Sequence, residues 1–439
     1  MTSQPGQPGE GTRLDPWFGA YAGRTHGLRV SETRALFAVA NRPEVVSLAG
    51  GMPFLDALPL DVIAKVTADL LQNEGTVALQ YGNGQGHPKL RRQITNVMAQ
   101  EGIAAHPDDV VVTTGSQQAL DLVTRIFVDP GDVVLAESPS YVGALSVFKS
   151  YEAWVEHVPM DHDGLIPEAL RETIARVKAA GRRIKFLYTV PSFHNPAGVT
   201  LPPHRRAEIL DICRSAGVLV VEDNPYGMLA FDGQVTPAIR SMDEAGVIYL
   251  GSFSKTFAPG YRTVWAVAPH AVREKLVLAS EASILCPSQA SQLAIATYLD
   301  TCDWLHQIDV YRQVYRERCE TMLAALAEFM PECSWTEPKG GFYTWVTVPD
   351  GVNTKTMLPR ATTALVAYVS GVAFYADGQG AGQMRLSFCY PTPERIKEGV
   401  RRLSGVLSKE IELVALFGPH GPSGAGDGED VLNPAPDVA

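Results

Sequence analysis

The chain has 439 residues, 46% of them apolar and 19% charged, which is ordinary for a globular protein large enough for one big core or two domains. Its net charge of −11 argues against a general binder of nucleic acid or of anionic membrane. No apolar run reaches the ~20 residues of a transmembrane helix, and the opening MTSQPGQPGEGTRLDP lacks the basic and apolar regions of a secretory signal.

Residues 1–12 are Gly, Pro and polar, and 418–439 are Gly/Pro-rich and acidic; this composition reads as disorder at both ends. Residues 13–50 read as an N-terminal arm. From 51 to 310, short apolar runs alternate with helical patterns. Strands are expected at 110–114, 133–136, 184–189, 218–222, 247–251 and 263–268. Helices are expected at 116–127, at 141–150 and from Pro202-Pro203 onward. Such alternation indicates an α/β domain with a mostly parallel sheet covered on both faces. A long helical pattern at 289–330 leads into 311–417, where GGFYTWVTV, MRLSFC and a final helix at about 393–414 suggest a smaller α+β domain. The six cysteines form no CxxC pair and the ten histidines no HExxH, so reduced thiols in a cytoplasmic protein without a metal site are expected.

One lysine stands out. Lys255 follows the buried-strand pattern Val247-Ile248-Tyr249-Leu250, among Ser252, Ser254 and Thr256, with Arg262 seven residues on. Three chemistries could use it. Gly82-Asn-Gly84-Gln-Gly86 fails as a dinucleotide fingerprint, because its third glycine falls at His87 and no strand pattern precedes it. Ser252-Phe-Ser-Lys255 matches the S-x-x-K of serine acyl enzymes, but Pro259-Gly260 oppose the helix it needs and the S-D-N partner motif is missing. The third chemistry is an amine that condenses with the carbonyl of pyridoxal phosphate (PLP). Every part of that cofactor then finds a partner in the sequence. Ser252, Ser254, Arg262 and the helix start Ser116-Gln117 suit the phosphate. Asp223, ending an apolar strand, suits the pyridine nitrogen; Tyr226 and Asn195 suit the phenolic oxygen; Tyr141 suits the ring face. Strand ends of one parallel sheet share a crevice, so these distant residues can converge.

Seven motifs in one order carry a resemblance: SLAGGMP (47–53), QYGNGQGHPKLR (80–91), TTGSQQALDL (113–122), HNPAG (194–198), EDNPYG (222–227), SFSKTFAPGYR (252–262) and RLSF (385–388). The chain resembles the fold-type I PLP-dependent aminotransferases of class I/II, and within them the kynurenine/2-aminoadipate subgroup. The resemblance implies an aspartate aminotransferase-like fold, with a seven-stranded sheet in the large domain. It implies Lys255 as the cofactor lysine, Asp223 as the pyridine partner, and Asn195 with Tyr226 at the phenolate. Tyr141 would stack on the ring, and Ser116, Gln117, Ser252, Ser254 and Arg262 would hold the phosphate. Arg385 would grip the substrate carboxylate, with Gly51 and Asn195 beside it. Tyr81 would be lent across the interface of a homodimer with shared active sites. The implied reaction is ping-pong transfer of an amino group between an L-amino acid and a 2-oxo acid.

HNPAG stands where Gln-Asn-Pro-Thr-Gly is commoner, so His194 either meets substrate or fills space. A decarboxylase, lyase or oxidase would share the cofactor motifs, though Arg385 favours transamination. A PLP-sensing transcription regulator would need a winged-helix module of roughly 60–70 residues ahead of the core and a basic character; the acidic chain has about thirty residues there. Met52, Phe54, Leu55 and Leu58 favour a bulky or aromatic, even arylglycine-type, substrate side chain. Arg24, Arg29 and Arg34 are the cations that a 2-aminoadipate-type substrate would recruit instead.

Overall fold

A computed structural model describes residues 15–27 and 42–418. Residues 1–12 and nearly all of the 418–439 tail, both expected to be disordered, therefore lie outside the described residues, as do Arg29 and Arg34. The strands, in chain order, are β1 (Val46–Ser47), β2 (Val110–Thr113), β3 (Val133–Ser138), β4 (Trp154–Asp161), β5 (Gly164–Leu165), β6 (Ile184–Thr189) and β7 (Leu219–Asp223). They continue with β8 (Val247–Ser252), β9 (Val264–Val267), β10 (Ser334–Trp335), β11 (Tyr343–Thr347), β12 (Val366–Ala367), β13 (Val369–Ser370) and β14 (Gln383–Ser387).

The large sheet runs β2-β9-β8-β7-β6-β3-β4-β5. β4, β3, β6, β7 and β8 are mutually parallel, and β9 is antiparallel to both its neighbours. Seven strands were expected; the eighth, β5, is a two-residue strand turned back on β4 through Asp161 and Gly164. β2, β3, β7, β8 and β9 are almost wholly buried, as apolar runs covered by helices on both faces must be. The covering helices include Ser116–Phe127, Val142–Ser150, Pro167–Ala179 and Pro203–Ala216. The last of these ends on Gly217 in the left-handed region, which satisfies the terminal carbonyls.

The helical stretch expected over 289–330 consists of two helices, Gln289–Thr301 and Trp304–Phe329. Asp303 caps the second, its carboxylate accepting from His306 N at 3.0 Å. This 26-residue helix leads from the large sheet to a four-stranded antiparallel sheet, β10-β11-β14-β13, and it passes through position 310 without a break. One apolar cluster joins both sheets, including Val110, Trp265, Tyr315, Val346 and Met384. The closing helix, Pro393–Phe417, starts at a Thr392 cap. No helix among the described residues is long and apolar enough to cross a membrane.

Candidate active site

The C-terminal ends of β2, β3, β6, β7 and β8 open on one cavity of about 550 Å³. Each end delivers a polar side chain because an apolar strand stops there and a turn begins. Ser116 and Gln117 start the helix after β2, and Tyr141 precedes the helix after β3. Asn195 follows β6, and Asp223 ends β7 with Tyr226 in the next turn. Ser252 ends β8, with Ser254 and Lys255 just beyond. Gly51, just after the N-terminal arm, and Arg385 of β14 also line the wall.

Lys255 Nζ donates to Gly51 O at 2.9 Å. Burial, with Arg385 and Arg262 nearby, lowers its pKa from 10.5 to about 8. Asp223 is buried with no cationic partner among the described residues; burial raises it from 3.8 to about 6, against the Tyr188 hydroxyl that donates to Oδ2 at 2.9 Å. Arg385 donates to Asn195 Oδ1 at 2.8 Å and to Ala49 O at 2.6 Å. Its guanidinium lies 4.2 Å from the Tyr343 ring centroid, and its buried Nε has no partner among the described residues. Burial pushes the Tyr141 phenol up to about 12. The Tyr226 hydroxyl pairs with Tyr343, and burial holds it well above the usual phenol range.

At the end of β2, Gly115 sits at φ 108° and no side chain caps the helix it opens. A Cβ there would meet Arg262 Nη2 at 1.9 Å, so only glycine leaves the guanidinium beside the helix start. Ser254 N donates to Ser252 Oγ at 2.9 Å. Ser252 and Ser254 line the cavity with the uncapped helix start Ser116-Gln117, and Arg262 stands beside Gly115 just behind that lining.

Some expectations meet a different placement. Tyr81 is 77% exposed and does not line the cavity. Arg24 is not brought to it either: its short 3₁₀ turn docks outside, beside Asp121 and Arg125. His194 fills space, with Nε2 3.0 Å from Glu137 Oε2 and Nδ1 accepting from Ala197 N. Of the four apolar residues expected around the substrate, only Met52 lines the cavity. Phe54 lies under the Arg318 guanidinium at 4.0 Å, Leu55 is partly exposed and Leu58 is in the core. Tyr188, Val190 and Tyr343 are site residues that the sequence reading passed over. The strand ends before Asn195 and in GGFYTWVTV were visible signals, but neither said which side chain turns inward.

The donor set fits PLP. Glycine-bared amides and Arg262 suit a phosphate, a buried uncompensated Asp223 suits a pyridinium, and aromatic and aliphatic side chains flank the space between. These features define a fold-type I PLP-dependent enzyme. The sequence profile described as Aminotransferase class I and II matches residues 43–403, and the chain belongs to that family. It is 39% identical to aromatic-amino-acid aminotransferase 1 of Thermococcus litoralis, over 88% of this chain and 93% of that one. A crystal structure of Pyrococcus horikoshii kynurenine aminotransferase with PMP superposes with a TM-score of 0.85 at 38% identity, covering 89% of this chain and 97% of that one. An α-aminoadipate aminotransferase of Thermus thermophilus, complexed with N-(5′-phosphopyridoxyl)-L-leucine, gives 0.84 at 35% identity, covering 91% and 100%. The protein is thus a transaminase with PLP as cofactor, acting on amino acids and 2-oxo acids.

Proposed function

We propose that this aminotransferase takes a bulky or aromatic amino acid in one half-reaction and glutamate or another common donor in the other. One observation carries the reading: Lys255 and Arg385 are the only basic side chains lining the cavity among the described residues. Arg385 serves the α-carboxylate, which leaves no cation among the described residues of the cavity for a distal acid. Met52, Val142, Val190 and Tyr343 offer apolar surface instead. The aromatic and kynurenine substrates in the names of two relatives support this direction.

Bound PLP supplies a carbonyl for an amine and a protonated ring that takes up the electron pair left when Cα loses its proton. The chain's residues do the rest. Arg385 fixes the substrate by its carboxylate, and Asn195 and Ala49 O hold the guanidinium in place. Lys255 Nζ, already partly neutral near pH 8, would take the proton from Cα and pass it to the cofactor on the same face. Asp223 keeps the ring nitrogen protonated, and Tyr188 fixes its carboxylate by the hydroxyl bond. Tyr226 and Asn195 would serve the phenolic oxygen, and Tyr141 would cover the ring. Ser116, Gln117, Ser252, Ser254 and Arg262 would hold the phosphate.

The exposed Tyr81 belongs to a second copy's site in a homodimer. Its exposure, with Leu79 and Leu285 also bare, supports that reading. The working location is the cytoplasm. The division at 51–310 and 311–417 is kept as a functional proposal, since it puts the lysine on one side and Arg385 on the other. Substrate choice is tested by kcat/KM across phenylpyruvate-like, arylglyoxylate, branched aliphatic and 2-oxoadipate acceptors. A preference for aromatic acceptors is expected; a strong preference for 2-oxoadipate over all of them overturns the assignment.

A further inference from the structure

The turn 223–227 has two faces. Asp223 and Tyr226 line the cavity on one. On the other lies Glu101, buried in the loop after the helix Pro88–Ala99 and unused by the reaction just described. Its Oε1 accepts from Asn224 Nδ2 at 3.1 Å, and its Oε2 meets the Tyr249 hydroxyl. Asn224 N donates to Leu250 O at 2.9 Å, and Glu101 O accepts from Ala238 N at 2.9 Å. A Cβ on Gly227 would stand 2.2 Å from Glu101 Oε1, so the turn is moulded around this carboxyl. Glu101 therefore ties the ends of β7 and β8 together, directly behind the residues that would hold the cofactor.

No cation among the described residues answers it. Arg206 faces it, but that guanidinium is spent on Leu201 O, Pro237 O, Pro191 O and Ser192 Oγ. The other facing charge is Glu222, whose oxygens accept from Ile239 N and Arg240 N. A buried carboxyl beside another acid, with no hydrogen-bonded cation, keeps its proton. Burial raises Glu101 from 4.5 to about 8, with Glu222 adding to the effect, and pushes Tyr249 well above the usual phenol range.

We propose that Glu101 is a positioning residue that works as a neutral carboxylic acid: it keeps a proton between itself and Tyr249 and, through Asn224, fixes the turn that carries Asp223 and Tyr226. The inference rests on the roles proposed above for those two residues. The carboxyl's length and neutrality matter, and its charge does not, so glutamine is its substitute.

The test compares wild type, Glu101→Gln and Glu101→Ala. In the holoenzyme, Glu101→Gln is expected to keep kcat within about threefold and to hold activity further into the alkaline range than wild type. Glu101→Ala is expected to lose about tenfold or more in kcat with a smaller change in KM, and to weaken the retention of the cofactor's visible band. In the apo-protein, the melting temperature of Glu101→Gln is expected to rise above that of wild type as pH increases from 4.5 to about 8, and the gap is then flat. The sign follows from linkage: a raised carboxyl pKa contributes stability that is lost as pH rises through that window. This apo measurement does not depend on Asp223, so a wrong role for Asp223 leaves the melting gap intact. If Glu101→Ala does not fold, the Gln variant carries the test alone. A Gln variant that falls about tenfold or more in kcat, or a melting gap that is absent or opens toward acid, overturns the proposal.

Discussion

Asp223→Asn separates a chemical role from a structural one, because the two have opposite signs. Asp223 is buried, and Tyr188 is its hydrogen-bond partner at 2.9 Å. Its pKa is raised from 3.8 to about 6. In the apo-protein the folded state therefore holds a proton that the unfolded state releases, and stability falls as pH rises from 3.8 to about 6. The loss amounts to about 3 kcal/mol above that window. Asparagine does not titrate and its oxygen can still accept from Tyr188. The apo variant is therefore expected to melt about 3–4 °C above wild type at pH 8, taking ~2.1 cal/mol/K of unfolding entropy per residue. At pH 4 the gap is expected to close. With PLP bound the order reverses, since the variant loses its charge-assisted pair with the ring nitrogen. Turnover is expected to fall by orders of magnitude. Melting curves of apo- and holo-protein at both pH values, with single-turnover rates, make the measurement. Near-normal turnover refutes the pyridine assignment. An apo melting gap that is absent at pH 8, or equal at both pH values, refutes the claim that the carboxylate is buried without compensation.

Four further outcomes are expected. In the apo-protein, labelling of Lys255 by an amine reagent should rise with pH through about 8, where an ordinary lysine with a pKa of 10.5 is about 0.3% neutral. Peptide mapping of the borohydride-reduced holoenzyme should find the pyridoxyl group on Lys255, and a label on another lysine refutes the assignment. Gly115→Ala should cost about 1–3 kcal/mol of apo stability from its φ of 108° alone, and should weaken PLP binding further by displacing Arg262. Unchanged cofactor affinity would remove this segment from the phosphate site. Mixing Tyr81→Phe with Lys255→Ala subunits under exchange should restore native-type sites up to about one quarter of the total, since half the dimers are mixed and each has one intact site; a fully active monomer refutes the shared site.

Much of this site is local in origin, and the sequence by itself determined that part. An apolar run followed by a serine-lysine cluster places Lys255 at a strand end, and Gly-Ser-Gln after Val110–Thr113 opens a helix with bare amides. Those features follow from burial, capping and turn chemistry within a dozen residues. The structure alone decided what meets across the chain. Tyr188 reaches Asp223 because β6 and β7 are paired in parallel, with Tyr188 opposite Val221. Tyr343 arrives from a second sheet and stands where a Cβ on Gly51 would lie 1.9 Å from its hydroxyl oxygen. Glu101, an ordinary acid before a glycine in the sequence, becomes a buried clamp once Asn224 and Tyr249 close over it. Conversely Leu58, an apolar residue beside the site in sequence, is buried in the core, and Phe54 packs against that core under Arg318 of the helix Trp304–Phe329. A strand's alternation says that a side chain lies on one face or the other; which neighbour occupies that face is set by crossovers that bring together residues far apart in the chain.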